Sequence, residues 1–186
     1  MKNLLVCCAL MIGTASLFAQ QEPMKDSGPP ASPPAKESIT IAGKTITIDY
    51  SSPRVKGREG KIYSKDGLIS HDPHYPVWRG GANEATTLHT DANLTIGDLK
   101  VPAGTYTLFY DISNPAQWTF IVSKATAEWG LDYDNTKDLG RVKMKMTKLA
   151  SMVENLKYTL LATGGNKGTL NLTWENESAT VAFEVH

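Results

Sequence analysis

From Ser38 to His186 apolar side chains recur at every second position rather than at helical spacing. A period of two puts alternate residues on opposite faces of a strand, so this pattern cannot be buried by a helix. Ile39 and Ile41 flank Thr40, Ala42-Gly43-Lys44 supplies a turn, and Ile46, Ile48 and Tyr50 alternate with Thr45, Thr47 and Asp49. That is a β-hairpin signature. Further strands are expected at Ala85–Thr90, at Asn93–Ile96 and Asp98–Val101 around Gly97, at Thr105–Ile112 and at Trp118–Val122. Pro102-Ala103-Gly104 and Asn114-Pro115 serve as turns. Arg141–Thr147 sets Val142, Met144 and Met146 against Arg141, Lys143 and Lys145. Leu156–Leu161 is a strand turned by Gly164–Gly168. Leu170, Leu172 and Trp174 share a face, Asn176-Glu177 is read as a turn, and Val181, Phe183 and Val185 close the chain.

Ala125–Asp138, around Trp129, contains Gly130 and Asn135 and is expected to be a loop with at most one helical turn. About nine short strands with frequent turns predict an all-β fold, a single antiparallel β-sandwich over residues 38–186 with very little helix.

Ahead of this domain the composition changes twice. Lys2 precedes an apolar run from Leu4 to Phe18, and the chain turns polar at Gln20. Residues 1–19 are expected to be a secretory signal peptide, cleaved after Ala19. The run is too short to span a bilayer, which takes about 20 apolar residues. Acylation at Cys7 or Cys8 is the rival reading, but almost no apolar segment precedes them. Residues 20–37 hold Pro23, Pro29, Pro30, Pro33 and Pro34 with few large apolar side chains, the composition of a flexible linker.

Both cysteines lie in the leader, so the exported chain has no thiol for catalysis, metal binding or disulfides. Nineteen basic and nineteen acidic residues cancel. Such a balance argues against a nucleic-acid binder, whose affinity rests on a basic excess. Sequence signatures for nucleophile elbows, zinc proteases, phosphate loops and dinucleotide sites are missing, and no cofactor is expected.

Polar clusters remain as candidate sites. Arg54, Lys56 and Arg58 share one face of an extended segment, where three cations suit a phosphate, sulfate or carboxylate. Their plain alternative is a solvated loop neutralised by Glu59 and Asp66. Trp78-Arg79-Gly80-Gly81-Ala82-Asn83-Glu84 surrounds a Gly-Gly turn. Trp78 offers a stacking face, Arg79 an anion clamp, and Asn83 with Glu84 groups for hydroxyls. Its structural alternative buries Trp78 and pairs Arg79 with Glu84. His71 and His74, with His89, have metal-ligand chemistry, but Pro73 and Pro76 oppose the helical spacing that would gather them, and no metal is expected. Arg141, Lys143 and Lys145, with Lys137 and Lys148, read best as a charged edge strand.

Several of these segments together resemble a known family. Ser52-Pro53-Arg54-Val55-Lys56-Gly57-Arg58, Val77-Trp78-Arg79, Gly81–Thr86, Val101–Phe109, Trp118 with Ile121 and Lys124, Trp129-Gly130 and Arg141-Val142-Lys143 are similar, in order, to the domain of unknown function 2911 family. The resemblance runs from about Ile46 to the C-terminus. It implies a secreted protein of Bacteroidetes-type bacteria and no particular reaction. It adds weight to Arg54, Lys56, Arg58, Trp78, Arg79, Asn83 and Glu84. Where the family pattern has a short Pro-Tyr-Gly segment before Val-Trp-Arg, this chain has His71-Asp72-Pro73-His74-Tyr75-Pro76, which weakens a family-wide metal role.

The expected function is therefore a non-enzymatic binding module for a small anionic or carbohydrate-like ligand, periplasmic or extracellular. Two rivals stand beside it. One is a hydrolase using Glu84 as base with Arg79; the other is a structural envelope protein with no small-molecule site.

Overall fold

The computed structural model describes residues 30–126 and 129–186. The leader and most of the proline-rich linker lie outside them. The strands are β1 (Pro34–Ile41), β2 (Lys44–Ser51), β3 (Val77–Trp78), β4 (Thr87–Thr90), β5 (Leu94–Ile96) and β6 (Leu99–Val101). They continue with β7 (Gly104–Asp111), β8 (Thr119–Ser123), β9 (Asp138–Lys143), β10 (Lys145–Gly164) and β11 (Lys167–Val185). All pair antiparallel in two sheets, the expected sandwich. One sheet runs β1-β2-β4-β7-β8-β9, with β3 also on β7; the other runs β10-β11-β5-β6. Helix among the described residues is confined to two 3-10 turns, Ile69–His71 and Asn135–Lys137. No described helix is long and apolar enough to cross a membrane.

Three details differ from the alternation pattern. β1 starts at Pro34 rather than Ser38, and Ser52 donates its amide to the Pro33 carbonyl at 2.8 Å, so the end of the proline-rich stretch is already part of the sheet. An edge strand tolerates proline because its outward amide needs no partner.

Arg141–Thr147 is not one strand. The chain leaves the first sheet at Lys143 and joins the second at Lys145, while Met144, buried between them, donates its amide to the Trp118 carbonyl at 2.9 Å. Arg141 and Lys143 do sit on an edge strand, as expected.

Asn176-Glu177 does not turn the chain, and the last two strands are long. β11 runs unbroken because a bulge at Glu175 (φ 54°) absorbs the change of phase. Leu170, Leu172 and Trp174 point inward before it; Glu177, Ala179, Val181, Phe183 and Val185 point inward after it. One extra residue in a strand shifts every later side chain to the opposite face.

The core lies between the sheets, built from Ile46, Ile48, Leu88, Leu108, Tyr110, Phe120, Tyr158, Leu172, Trp174 and their neighbours. β7 and β8 are buried on both faces. Phe109 and Ile121 are buried as well; Tyr133 lies 4.7 Å from the Phe109 ring, and Thr107 Oγ1 donates to the Ala125 carbonyl at 2.6 Å. Two-sided burial explains why these strands read as unbroken apolar runs.

Burial raises the Tyr63, Tyr110 and Tyr158 phenols well above their ordinary value, and burial with the Asp138 hydrogen bond pushes Tyr133 up to about 12. Below pH ~10 the folded and unfolded chains hold the same phenolic protons. Above it the unfolded chain releases protons that the fold retains, so stability falls as pH rises towards about 12. Absorbance at 295 nm should show these phenols ionising together with loss of the fold, as followed by circular dichroism. Ionisation in a chain that keeps its native spectrum would contradict their burial.

Candidate functional site

β3 and β4 both pair with the same edge of β7, Trp78 opposite Tyr110 and Thr87 opposite Thr107. Residues 79–86 therefore loop out of the sheet where β7 has only Leu108 and Phe109 to offer. The turn is anchored from below. Trp78 Nε1 donates to the Gly81 carbonyl at 3.2 Å, and the buried Tyr158 hydroxyl donates to the Gly80 carbonyl at 2.9 Å. Gly80 has φ +63°, and a Cβ there would overlap the Tyr110 and Tyr158 side chains. Only glycine meets both demands.

A second loop approaches from the other sheet. β10 bulges out of register between Lys148 and Lys157, and the 52–60 segment hooks onto that bulge. Val55 donates its amide to the Glu154 carbonyl (2.9 Å), Leu156 donates to the Pro53 carbonyl (2.9 Å), and Ser52 Oγ donates to the Leu156 carbonyl (2.6 Å). Lys56 (φ 49°) and Gly57 (φ 69°) form its tip, with the Lys56 amide donated to Glu154 Oε1 at 3.1 Å. The Gly60 amide is donated to the buried Glu175 carboxylate.

An open cavity of about 390 Å³ lies between these loops. Arg54, Lys56, Arg58 and Arg79 line it together with Asp72, His71, Leu68, Ile69 and Leu131, and the buried Trp78 and Trp174 lie at its base. Five of the seven residues singled out in the sequence are thus brought together. Arg58 turns back on its own loop, donating Nε to the Val55 carbonyl (2.9 Å) and Nη2 to the Arg54 carbonyl (2.7 Å).

Asn83 and Glu84 are not in the cavity. Asn83 Nδ2 donates to the Ser32 carbonyl at 3.3 Å. Glu84 accepts from Ser51 Oγ at 3.3 Å, beside a separate depression lined by Tyr50 and Ser51.

Trp78 is a core residue, 3% exposed, stacked on Trp174 with ring centroids 6.0 Å apart and planes 22° apart. It presents no free face for a ligand, as the structural alternative held. The Arg79–Glu84 pair of the structural alternative does not form; Asp72 stands near Arg79 instead. Nothing in their spacing signalled Asp72, because the 69–76 loop folds back to bring it there.

Arg79 has the least satisfied charge of the site. Its side chain is 17% exposed, and Nη1 lies 3.6 Å from Asp72 Oδ2, too far for a hydrogen bond. Nε and Nη1 are buried with no hydrogen-bond partner among the described residues. Asp72 is held off by its own turn, where Oδ1 accepts the His74 amide at 3.1 Å. Burial lowers the Arg79 pKa from its ordinary value, and Asp72 opposes that shift.

The histidines stay apart. His71 borders the cavity, His74 Nε2 accepts the Tyr133 amide at 3.4 Å, and His89, on β4, bonds Thr105 of β7 and Asp91 of the turn that follows β4. No group of three or more His, Cys, Asp or Glu side chains among the described residues is arranged to hold a metal ion.

The family described as "Protein of unknown function (DUF2911)" matches residues 32–183. The chain belongs to this family. The match takes in both cavity loops, and its first residue, Ser32, itself lines the cavity. No curated protein and no solved structure matches the chain.

Gly80→Ala should lower stability by about 3 kcal/mol or more, from the left-handed backbone and overlap with two core tyrosines. Gly43→Ala, at φ +75° with nothing within 4 Å of the added Cβ, should cost only about 1–2 kcal/mol. Urea unfolding of the two variants measures the difference, and equal losses would disprove the anchoring of the Gly80 turn.

Proposed function

We propose that this DUF2911 member is a non-enzymatic binding module for a small anionic ligand, held in the cavity between the 52–60 and 79–86 loops. The observation that carries the reading is the Arg79 guanidinium, buried with Nε and Nη1 unpartnered among the described residues. Buried donors left unbonded cost about 1–3 kcal/mol or more each, so such groups are met by ordered water, an ion or a ligand, and here we assign them to a ligand. Four cations against one carboxylate, Asp72, leave the cavity walls strongly positive. Arginine presents its donors in a planar fork that matches carboxylate and phosphate oxygens.

The proposed setting is outside the inner membrane, in the periplasm or beyond. Its support is the basic-then-apolar start of the chain, the composition of an export signal. The hydrolytic alternative requires Glu84 beside Arg79. Glu84 instead bonds Ser51 by a different depression, so no observation favours that chemistry.

The test is calorimetric titration and thermal unfolding with a panel of phosphates, carboxylates and neutral sugars. An anion present at about 100 times its dissociation constant should stabilise the protein by ~2.7 kcal/mol. Asp72→Asn combined with Arg79→Met should abolish that response. Without ligand the double variant should be about as stable as the parent, since it removes both partly buried charges together rather than stranding one of them. If the parent responds to no anion and the double variant melts well below it, Arg79 is a structural residue and the proposal fails.

A further inference from the structure

We infer that the ligand is an oxyanion carried on an apolar body, an aryl or alkyl phosphate or carboxylate, and not a polyhydroxylated sugar. This rests on the anion-binding reading above and narrows it.

Binding a sugar takes acceptors and amides that bond hydroxyl groups, together with an open aromatic face. Of the side chains lining the cavity, Asp72 is the carboxylate, and its Oδ1 is already committed to the His74 amide. Asn83 and Glu84, the groups suited to hydroxyls, lie outside the cavity. Trp78 is closed off by its stack on Trp174. Ser32 and His71 also line the cavity, so the groups placed for hydroxyls are few beside its four cations.

The lining of the cavity suits a different molecule. Arg54 and Lys56 reach it from the 52–60 loop and Arg79 from the 79–86 loop, where Nη1 stands 3.6 Å from Asp72 Oδ2. Leu68, Ile69 and Leu131 line the same cavity, with the tryptophan pair. Leu68 is 38% exposed, one of few large apolar side chains left open on the described surface. An apolar side chain kept in water at the edge of a cationic cavity gains free energy when an apolar group covers it. A molecule with an anionic head and an apolar body meets both kinds of lining residue, since such pockets are mostly apolar with a few placed polar groups.

Calorimetric titration of the full chain would compare phenyl phosphate with inorganic phosphate, and benzoate with acetate. Glucose 6-phosphate and glucose serve as the sugar arms. The aryl member of at least one pair should bind about tenfold or more tighter than its bare anion, from the apolar surface it buries. Glucose should not bind, and glucose 6-phosphate should bind no better than inorganic phosphate. Leu68→Ser, at a half-open position whose side chain the core does not need, should shrink the aryl preference and leave inorganic phosphate unchanged. Equal affinity within both pairs, or glucose 6-phosphate matching phenyl phosphate, would overturn the apolar-body inference while leaving the anion reading in place. Failure of every anion to bind, or anion binding unaffected by Arg79→Met, would overturn the reading beneath it.

Discussion

The two sheets are tied together at the cavity end by aromatic packing, and the cavity rests on that contact. Trp78 belongs to the first sheet and Trp174 to the second; their rings lie nearly parallel, with Trp118 and Tyr63 closing edge-on around them. Large aromatic surfaces dominate the energetics of such a contact, beyond the area they bury. The contact requires Trp174 to point inward, while Ala179–Val185 must also present their odd-numbered side chains to the core. Both hold only because the Glu175 bulge changes the phase of β11. Its carboxylate then bonds the Gly60 amide, so the same irregularity that completes the core fixes one end of the cationic loop.

Placing Trp78 in the core also decides what Arg79 does. With the preceding side chain locked inward and Gly80 pinned by Tyr158, the arginine has little freedom. Its stem packs against Gly130, where any Cβ would overlap it. The guanidinium ends up half-enclosed beside an aspartate that its own turn holds out of hydrogen-bond reach. Asp72 compensates the charge at 3.6 Å without bonding it, and Nε and Nη1 stay without a hydrogen-bond partner among the described residues. In the binding reading we propose, fixing these donors on folding is preorganisation.

Much of the fold was legible because period-two alternation is a local signal. The β1–β2 hairpin, the β5–β6 hairpin around Gly97 and the Gly164–Gly168 reversal were all readable from side-chain phase and turn residues. The Asn135–Lys137 turn likewise met the expectation of little helix around Trp129. The misread places share a cause. At Met144 alternation continues unbroken while the backbone changes sheets; at Asn176-Glu177 alternation shifts phase while the backbone does not turn. Alternation reports which face a residue occupies, and is silent on which neighbour the strand pairs with.

The sequence by itself determined the class of fold, the segments that carry charge and the glycines that turn the chain, since each follows from local sterics and side-chain chemistry. Only the tertiary structure decided the placements. It buried Trp78, separated Asn83 and Glu84 from the arginines, and brought Asp72, Leu68 and Leu131 to Arg79 from loops with no sequence signal in common. The physical reason is that a cavity belongs to no single segment. Its charge balance and shape arise where the 52–60 loop, hooked on the β10 bulge, meets the 79–86 excursion from β7. That meeting is set by long-range pairing such as Arg54 with Asn155, which no periodicity within either segment encodes.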